Sequence, residues 1–246
     1  MSFLKYVSVF AIILWIPTTS YLYAQTNGEG WEKINSSTIT LKGNIVKGSY
    51  RQFLSVFDER IETVIVNSWG GDTYEAVQIG LVLKNLDVTV IVRGVCLSSC
   101  ANYIFLAGKL RVVAEGIVGF HGNTIALVEE IGGLDKAVAS AFPPSHRVQL
   151  GAVDFRKRIR KTIEFEKQFF EELGIPQSFF NLTQRTDKGA DDGKAYQYLL
   201  PSYETYSKYN IRNIVGDHHQ IWIDYYIKQA EADGVKDPSL LVESSF

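Results

Sequence analysis

Two cysteines are all that the 246 residues contain; four residues apart, they make no metal site without further ligands, and no Cys or His pair at zinc-ligand spacing exists elsewhere, which excludes a zinc ribbon or finger. Charge of one sign is also lacking: 25 Lys and Arg stand against 27 Asp and Glu, a formal net charge of -2. A protein that binds phosphate backbones carries a basic patch or stripe, so nothing here points to nucleic acid. The longest apolar stretch, residues 6–17, is shorter than the roughly 20 residues that cross a bilayer, and a polytopic membrane protein is excluded. Internal repeats and low-complexity tracts are absent too, and 46% apolar with 21% charged residues is ordinary globular usage rather than the composition of a disordered chain.

What is present begins with a secretory layout. Lys5 supplies a positive charge, an apolar core follows, and small and polar residues lead to Ala24-Gln25. Residues 1–24 are expected to be a signal peptide and 25–246 one domain with a single core. Leu22 is large for a position three before the cut, so a retained membrane anchor is the alternative. Export implies a periplasmic or secreted protein, a setting in which thiols tend to pair. Cys96 and Cys100 are four residues apart, and helical positions at that spacing lie farther apart than a disulfide allows; bonded and free states both stay open.

Along the domain, a polar lead-in over residues 25–33 precedes an alternating strand at 38–42 and a short helix at 50–58. The continuous runs at 63–67 and 88–93 read as buried parallel strands, with an amphipathic crossover helix at 73–85 between them. Segments 110–113 and 116–121 read as two further strands. Residues 122–152 show no period and suggest a loop or lid with a short helix. A long helix at 155–173 ends at Gly174-Ile175-Pro176. Short strands at 196–201 and 211–215 flank a helix at 203–209 that Ser202 could cap. Alternation of this kind predicts an α/β fold with a parallel sheet and right-handed crossovers. The basic run Arg156 to Arg160, followed by Glu164, Glu166, Glu171 and Glu172, reads as the solvated face of the long helix.

Three features could carry chemistry. Asn67-Ser68-Trp69-Gly70-Gly71 ends a strand in a turn whose glycines permit conformations closed to other residues. Such a turn can aim amides at a developing oxyanion, each worth about 3–4 kcal/mol of barrier, although glycine pairs more often serve turns alone. Ser98-Ser99 stand where a strand passes into the helix at 101–108. A helix-start serine is ordinarily a cap, yet the free amides and dipole of that terminus also suit a nucleophile. His121 ends an apolar strand, whereas His146 lies in the irregular segment and His218-His219 in a polar turn.

Together, Asn67-Ser-Trp-Gly-Gly-Asp72, Cys96-Leu-Ser-Ser-Cys100, Ala107-Gly108, Arg111 and Gly119-Phe-His121 resemble the ClpP-type serine peptidases, nearest to the exported ClpP-like proteins of Gram-negative bacteria. The likeness covers about residues 61–125, with a weaker echo at 209–215. It implies a ClpP/crotonase-like spiral of β-β-α units with a parallel sheet and a long handle-type helix. The family serine lies eight residues before an Ala-Gly pair, which picks Ser99. By the same match His121 is the base, and Gly71 and the Cys100 amide form the oxyanion hole. The third member is Asp192, with Asp187 and Asp191 as alternatives. Trp69 stands where the family has proline, and Cys100-Ala101 where it has Met-Gly, which alters loop geometry and substrate shape.

The function so implied is serine hydrolysis of peptides or unfolded chains by a homo-oligomer, without metal, cofactor or ATPase partner. Contact with the membrane is expected only if the N-terminal segment is retained. Its pH profile should fall below about 6.5 unless neighbours shift the imidazole. The rival from another class is a non-catalytic scaffold or binding protein of the same fold in the cell envelope. An acyl-CoA enzyme of the wider crotonase group fits less well, because export removes it from its cofactor.

Overall fold

The β-branched runs of the sequence form one six-stranded sheet in a computed structural model that describes residues 29–141, 149–185 and 197–243. The expected signal peptide, and Asp187, Asp191, Asp192 and His146, lie outside the described residues. In chain order the elements are β1 (Gly30–Lys33), β2 (Thr38–Ile45), α1 (Ser49–Val56), β3 (Thr63–Gly71), α2 (Thr73–Leu83), β4 (Thr89–Leu97) and a π-helix (Cys100–Phe105). Then come β5 (Leu110–Gly119), α3 (Thr124–Ile131), α4 (Leu134–Ala141), α5 (Gln149–Leu173) and α6 (Gln177–Arg185). Last are β6 (Tyr198–Leu200), α7 (Tyr203–Lys208), β7 (Ile214–Gly216), α8 (Gln220–Ala232) and β8 (Leu240–Val242). Among the described residues no helix is long and apolar enough to cross a membrane.

The sheet order is β1-β2-β3-β4-β5-β7, parallel throughout except for β1, while β6 and β8 pair separately. The α/β class with a mostly parallel sheet and one long helix is therefore present. Register breaks at Lys42/Asn44, Val66/Ser68 and Val92/Arg93 lie on neighbouring strands, so the strands bend together, as extra residues in a ladder make them do. Beyond that bend β4 is buried on both sides. Val90, Val92 and Cys96 join the large core with Ile79, Leu83, Phe105 and Phe169. Val95 and Leu97 join a second core under α8, with Ile117, Leu200, Ile223 and Tyr226. The C-terminal ends of the central strands thus sit between two apolar layers, which is where a site can exclude water.

Four segments differ from the sequence reading. The polar lead-in contains β1, whose Trp31 is buried edge-on against Phe53 at 5.0 Å; four residues with one apolar side chain show no period. Residues 110–119 are one strand rather than two, and the 122–152 stretch holds the two helices α3 and α4. Helix α8 and strand β8, to which the sequence reading assigned nothing, cover the second core. Ser202 does cap α7, its hydroxyl accepting from the Thr205 amide at 3.2 Å.

Cys96 and Cys100 are bonded, with Cα atoms 5.2 Å apart. The objection raised by helical spacing does not arise, because Cys96 ends a strand, Cys100 begins a helix, and the chain reverses between them. Closing so short a loop is worth about 2 kcal/mol in the chain-entropy account, and that is the expected loss in urea-monitored stability for the Cys96→Ala/Cys100→Ala double variant. A loss below about 0.5 kcal/mol, the size of an inert surface change, contradicts a constraining role.

Candidate active site

After Leu97 the chain must turn from strand into helix almost at once. It does so at Ser98, which adopts φ 56°, a left-handed conformation uncommon and costly for a residue with a side chain. Backbone bonds hold the turn on both sides: the Ser98 amide donates to Gly119 O at 3.0 Å, and the Asn102 amide donates to Ser98 O at 2.8 Å. The disulfide spans the same five residues. So oriented, the Ser98 hydroxyl lies 2.6 Å from Nε2 of His121.

His121 follows the end of β5, where Phe120 bridges Leu199. Its ring packs against Tyr198 at 5.5 Å between centroids, and the Asn102 side-chain amide donates to its carbonyl at 3.3 Å. Burial pulls the imidazole pKa down to about 4, and a hydrogen bond to the Gly122 backbone works the other way. The ring is therefore neutral near pH 7, and in the tautomer with Nε2 unprotonated it accepts a hydrogen bond from the Ser98 hydroxyl. The groups around the ring among the described residues, Ser98, Gly122 and Tyr198, include no carboxylate.

The pairing expected from the sequence, Ser99 with His121, is not the one the structure makes. Ser99 is 3% exposed; its hydroxyl donates to Gly71 O at 2.9 Å and bonds Thr73 Oγ1 at 3.3 Å. The reason lies in the backbone of the two serines. Ser99 already has right-handed helical angles, φ -60° and ψ -25°, which turn its hydroxyl back to the end of β3, whereas Ser98 makes the left-handed turn. The serine beside the imidazole is consequently one position earlier. Cys100 is fully buried within the first turn of that helix.

Gly70 and Gly71 complete the junction. Gly70 has φ 84°, and a Cβ there would lie 2.4 Å from Leu97 O and 2.8 Å from the Ser98 Cβ. Gly71 has φ 135°, and its Cβ would meet Ile45 O at 2.2 Å. Only glycine fits either place. The Gly70 amide is occupied by the Ser68 hydroxyl at 3.2 Å, and the Asp72 amide by Ile45 O at 2.8 Å. Asp72 caps α2 by accepting from the Glu75 amide at 3.1 Å. Arg158 of α5 donates to both Asp72 carboxylate oxygens at 2.6 Å and lies over the Tyr74 ring at 4.6 Å. Arg158 is thus no member of a purely solvated face. Among the described residues no three His, Cys, Asp or Glu side chains gather as a metal would need.

Sequence reasoning missed Tyr198 and Asn102, neither of which carries a motif of its own, and from the Ser98-Ser99 pair it chose Ser99. It also took His218 for part of a polar turn, whereas His218 Nδ1 accepts from the Val118 amide at 3.3 Å and burial lowers its pKa.

No family model matches the chain, and no curated protein matches it. Among solved structures it is similar to the ClpP protease catalytic domain from Plasmodium falciparum, with 13% identity and a TM-score of 0.41, over 74% of this chain and 85% of that one.

Because the folded imidazole titrates near 4 and an unfolded one near 6.5, the neutral ring contributes stability that is complete above pH 6.5 and is lost as pH falls toward 4. Between pH 7 and pH 4 the wild-type protein should therefore lose more stability than His121→Gln does, measured by denaturant titration at each pH. Equal losses contradict the half-buried neutral ring.

Proposed function

We propose that this protein is a ClpP-like serine hydrolase that cleaves peptides or loosely folded chains, with Ser98 as nucleophile and His121 as general base. The observation that carries this reading is the 2.6 Å contact between Ser98 Oγ and His121 Nε2, made from a left-handed turn at a helix mouth. Ser98 attacks the acyl carbon and gives its proton to Nε2, which passes it to the departing amine; water then repeats the sequence to release the acyl group. With Ser98 in that role, the oxyanion falls to the amide of the next residue, Ser99, rather than to that of Cys100. The family resemblance assigns the second amide to Gly71, whose carbonyl accepts from the Ser99 hydroxyl. An aspartate orients the imidazole, Asp192 before Asp187 or Asp191.

Burial alone lowers the base to about 4, and the orienting aspartate raises it again, so the acid limb of the activity profile falls between about pH 4 and pH 6.5. The bonded cysteine pair accords with an exported protein, periplasmic or secreted; we propose further that it acts as a homo-oligomer and needs no ATPase partner, metal or cofactor.

Labelling by a serine-reactive fluorophosphonate tests the assignment. Ser98→Ala should abolish labelling, Ser99→Ala should keep it within about tenfold, and His121→Ala should slow it by at least about a hundredfold, the usual range for a lost general base. Labelling that survives in Ser98→Ala and disappears in Ser99→Ala contradicts the assignment. A folded wild-type protein that never labels favours the non-catalytic scaffold.

A further inference from the structure

Glu166 belongs to the acidic series of α5 that the sequence reads as solvated, yet it is 0% exposed. Its Oε1 accepts from the Tyr103 hydroxyl at 2.5 Å and from the Thr124 amide at 3.0 Å, and its Oε2 accepts from the Ile125 amide at 3.1 Å. These donors are neutral, although a buried carboxylate is costly unless well compensated. Burial pushes the carboxyl above its ordinary range while the hydrogen bonds from Tyr103, Thr124 and Ile125 oppose that. A helix start by itself does not call for this group, since Asn123 already caps α3 by accepting from the Ala126 amide at 2.8 Å.

What distinguishes the carboxylate is the pair of segments it joins. Tyr103 lies on the π-helix, five residues after Ser98, and Thr124 lies three residues after His121. One oxygen, Oε1, therefore touches both arms of the site. The segment between has further ties that run the same way: Asn102 donates to the His121 carbonyl at 3.3 Å, and Gln177 donates to Asn123 Oδ1 at 2.9 Å. We infer that Glu166 is a positioning residue, whose carboxylate fixes the distance between the Ser98 hydroxyl and the His121 ring by holding Tyr103 and the first turn of α3 to one point. It never meets substrate. It acts by keeping the half-buried imidazole within reach of the serine, and a displacement of about 1 Å there is enough to cost a large part of the rate.

This inference rests on the Ser98–His121 pair of the proposed function, so its test reads the pair without turnover. In the full-length protein, the His121 ring is followed by NMR titration of its Cε1–H, assigned with His121→Gln, in wild type, Glu166→Gln, Tyr103→Phe and Ser98→Ala. Glu166→Gln sets an NH2 group against one of the donors, while Tyr103→Phe removes a single hydroxyl and keeps the fold safe should the first variant fail to fold. Water admitted to a loosened ring should raise its midpoint from about 4 by at least ~1 pH unit in Glu166→Gln, and by less in Tyr103→Phe, toward the ordinary value. Fluorophosphonate labelling should slow about tenfold in Glu166→Gln. Midpoints unchanged in every folded variant of this pair overturn the role of Glu166. A wild-type ring that does not respond to Ser98→Ala overturns the pair itself, and the positioning role with it.

Discussion

The site depends on a single backbone reversal. A parallel strand that runs straight into a helix must turn within a residue or two, and here Ser98 makes the turn alone at φ 56°. A conformation of this kind costs about 1–3 kcal/mol and persists only where the surroundings over-determine it. Those surroundings can be named. Gly119 and Asn102 take up the backbone groups of Ser98, the Cys96–Cys100 bridge closes the loop across it, and Gly70 approaches so closely that any side chain there would collide with Leu97 O. The hydroxyl is thereby aimed at His121 rather than left to rotate as a helix cap would.

Three strand ends converge on this point because the sheet is parallel. β3, β4 and β5 all finish on the same side, bringing Gly70-Gly71, Ser98 and His121 together from positions far apart in sequence. Two apolar layers close around them, the large core on the side of α2 and α5 and the smaller one under α8. Dry walls lower the imidazole pKa to about 4 and strengthen every hydrogen bond among the site groups. Helix α5 reaches the same junction through Arg158 on Asp72 and Glu166 on the segments that follow Ser98 and His121. The helix that looks like an accessory from its charge pattern is the strut against which the site is assembled.

The architecture was legible where periodicity is a direct consequence of packing. Val64, Val66, Val90 and Val92 are core residues in strands, and Phe169 and Phe170 form part of the stripe that made α5 readable. His121 was legible from its place at the end of an apolar strand. Other features leave no such trace. β1 is too short and polar to show alternation. Which of two adjacent serines takes the left-handed turn alters no composition, so the sequence points to Ser99 when the imidazole faces Ser98. Glu166 sits among charged neighbours at helical spacing, and nothing in its own spacing separates a buried carboxylate from a solvated one. The disulfide could not be decided because it depends on where the strand stops and the helix starts, which is a boundary question.

The central claim is that the residue in the left-handed turn is the reactive one. A crystal structure of the protein treated with a peptide boronate, which forms a reversible bond to an activated serine, tests this most directly. The account predicts continuous density from Oγ of Ser98 to boron, with φ of Ser98 still positive and Nε2 of His121 within hydrogen-bonding distance of the adduct. Density joined to Ser99, or Ser98 in an ordinary helical conformation with its hydroxyl turned away from His121, would contradict it.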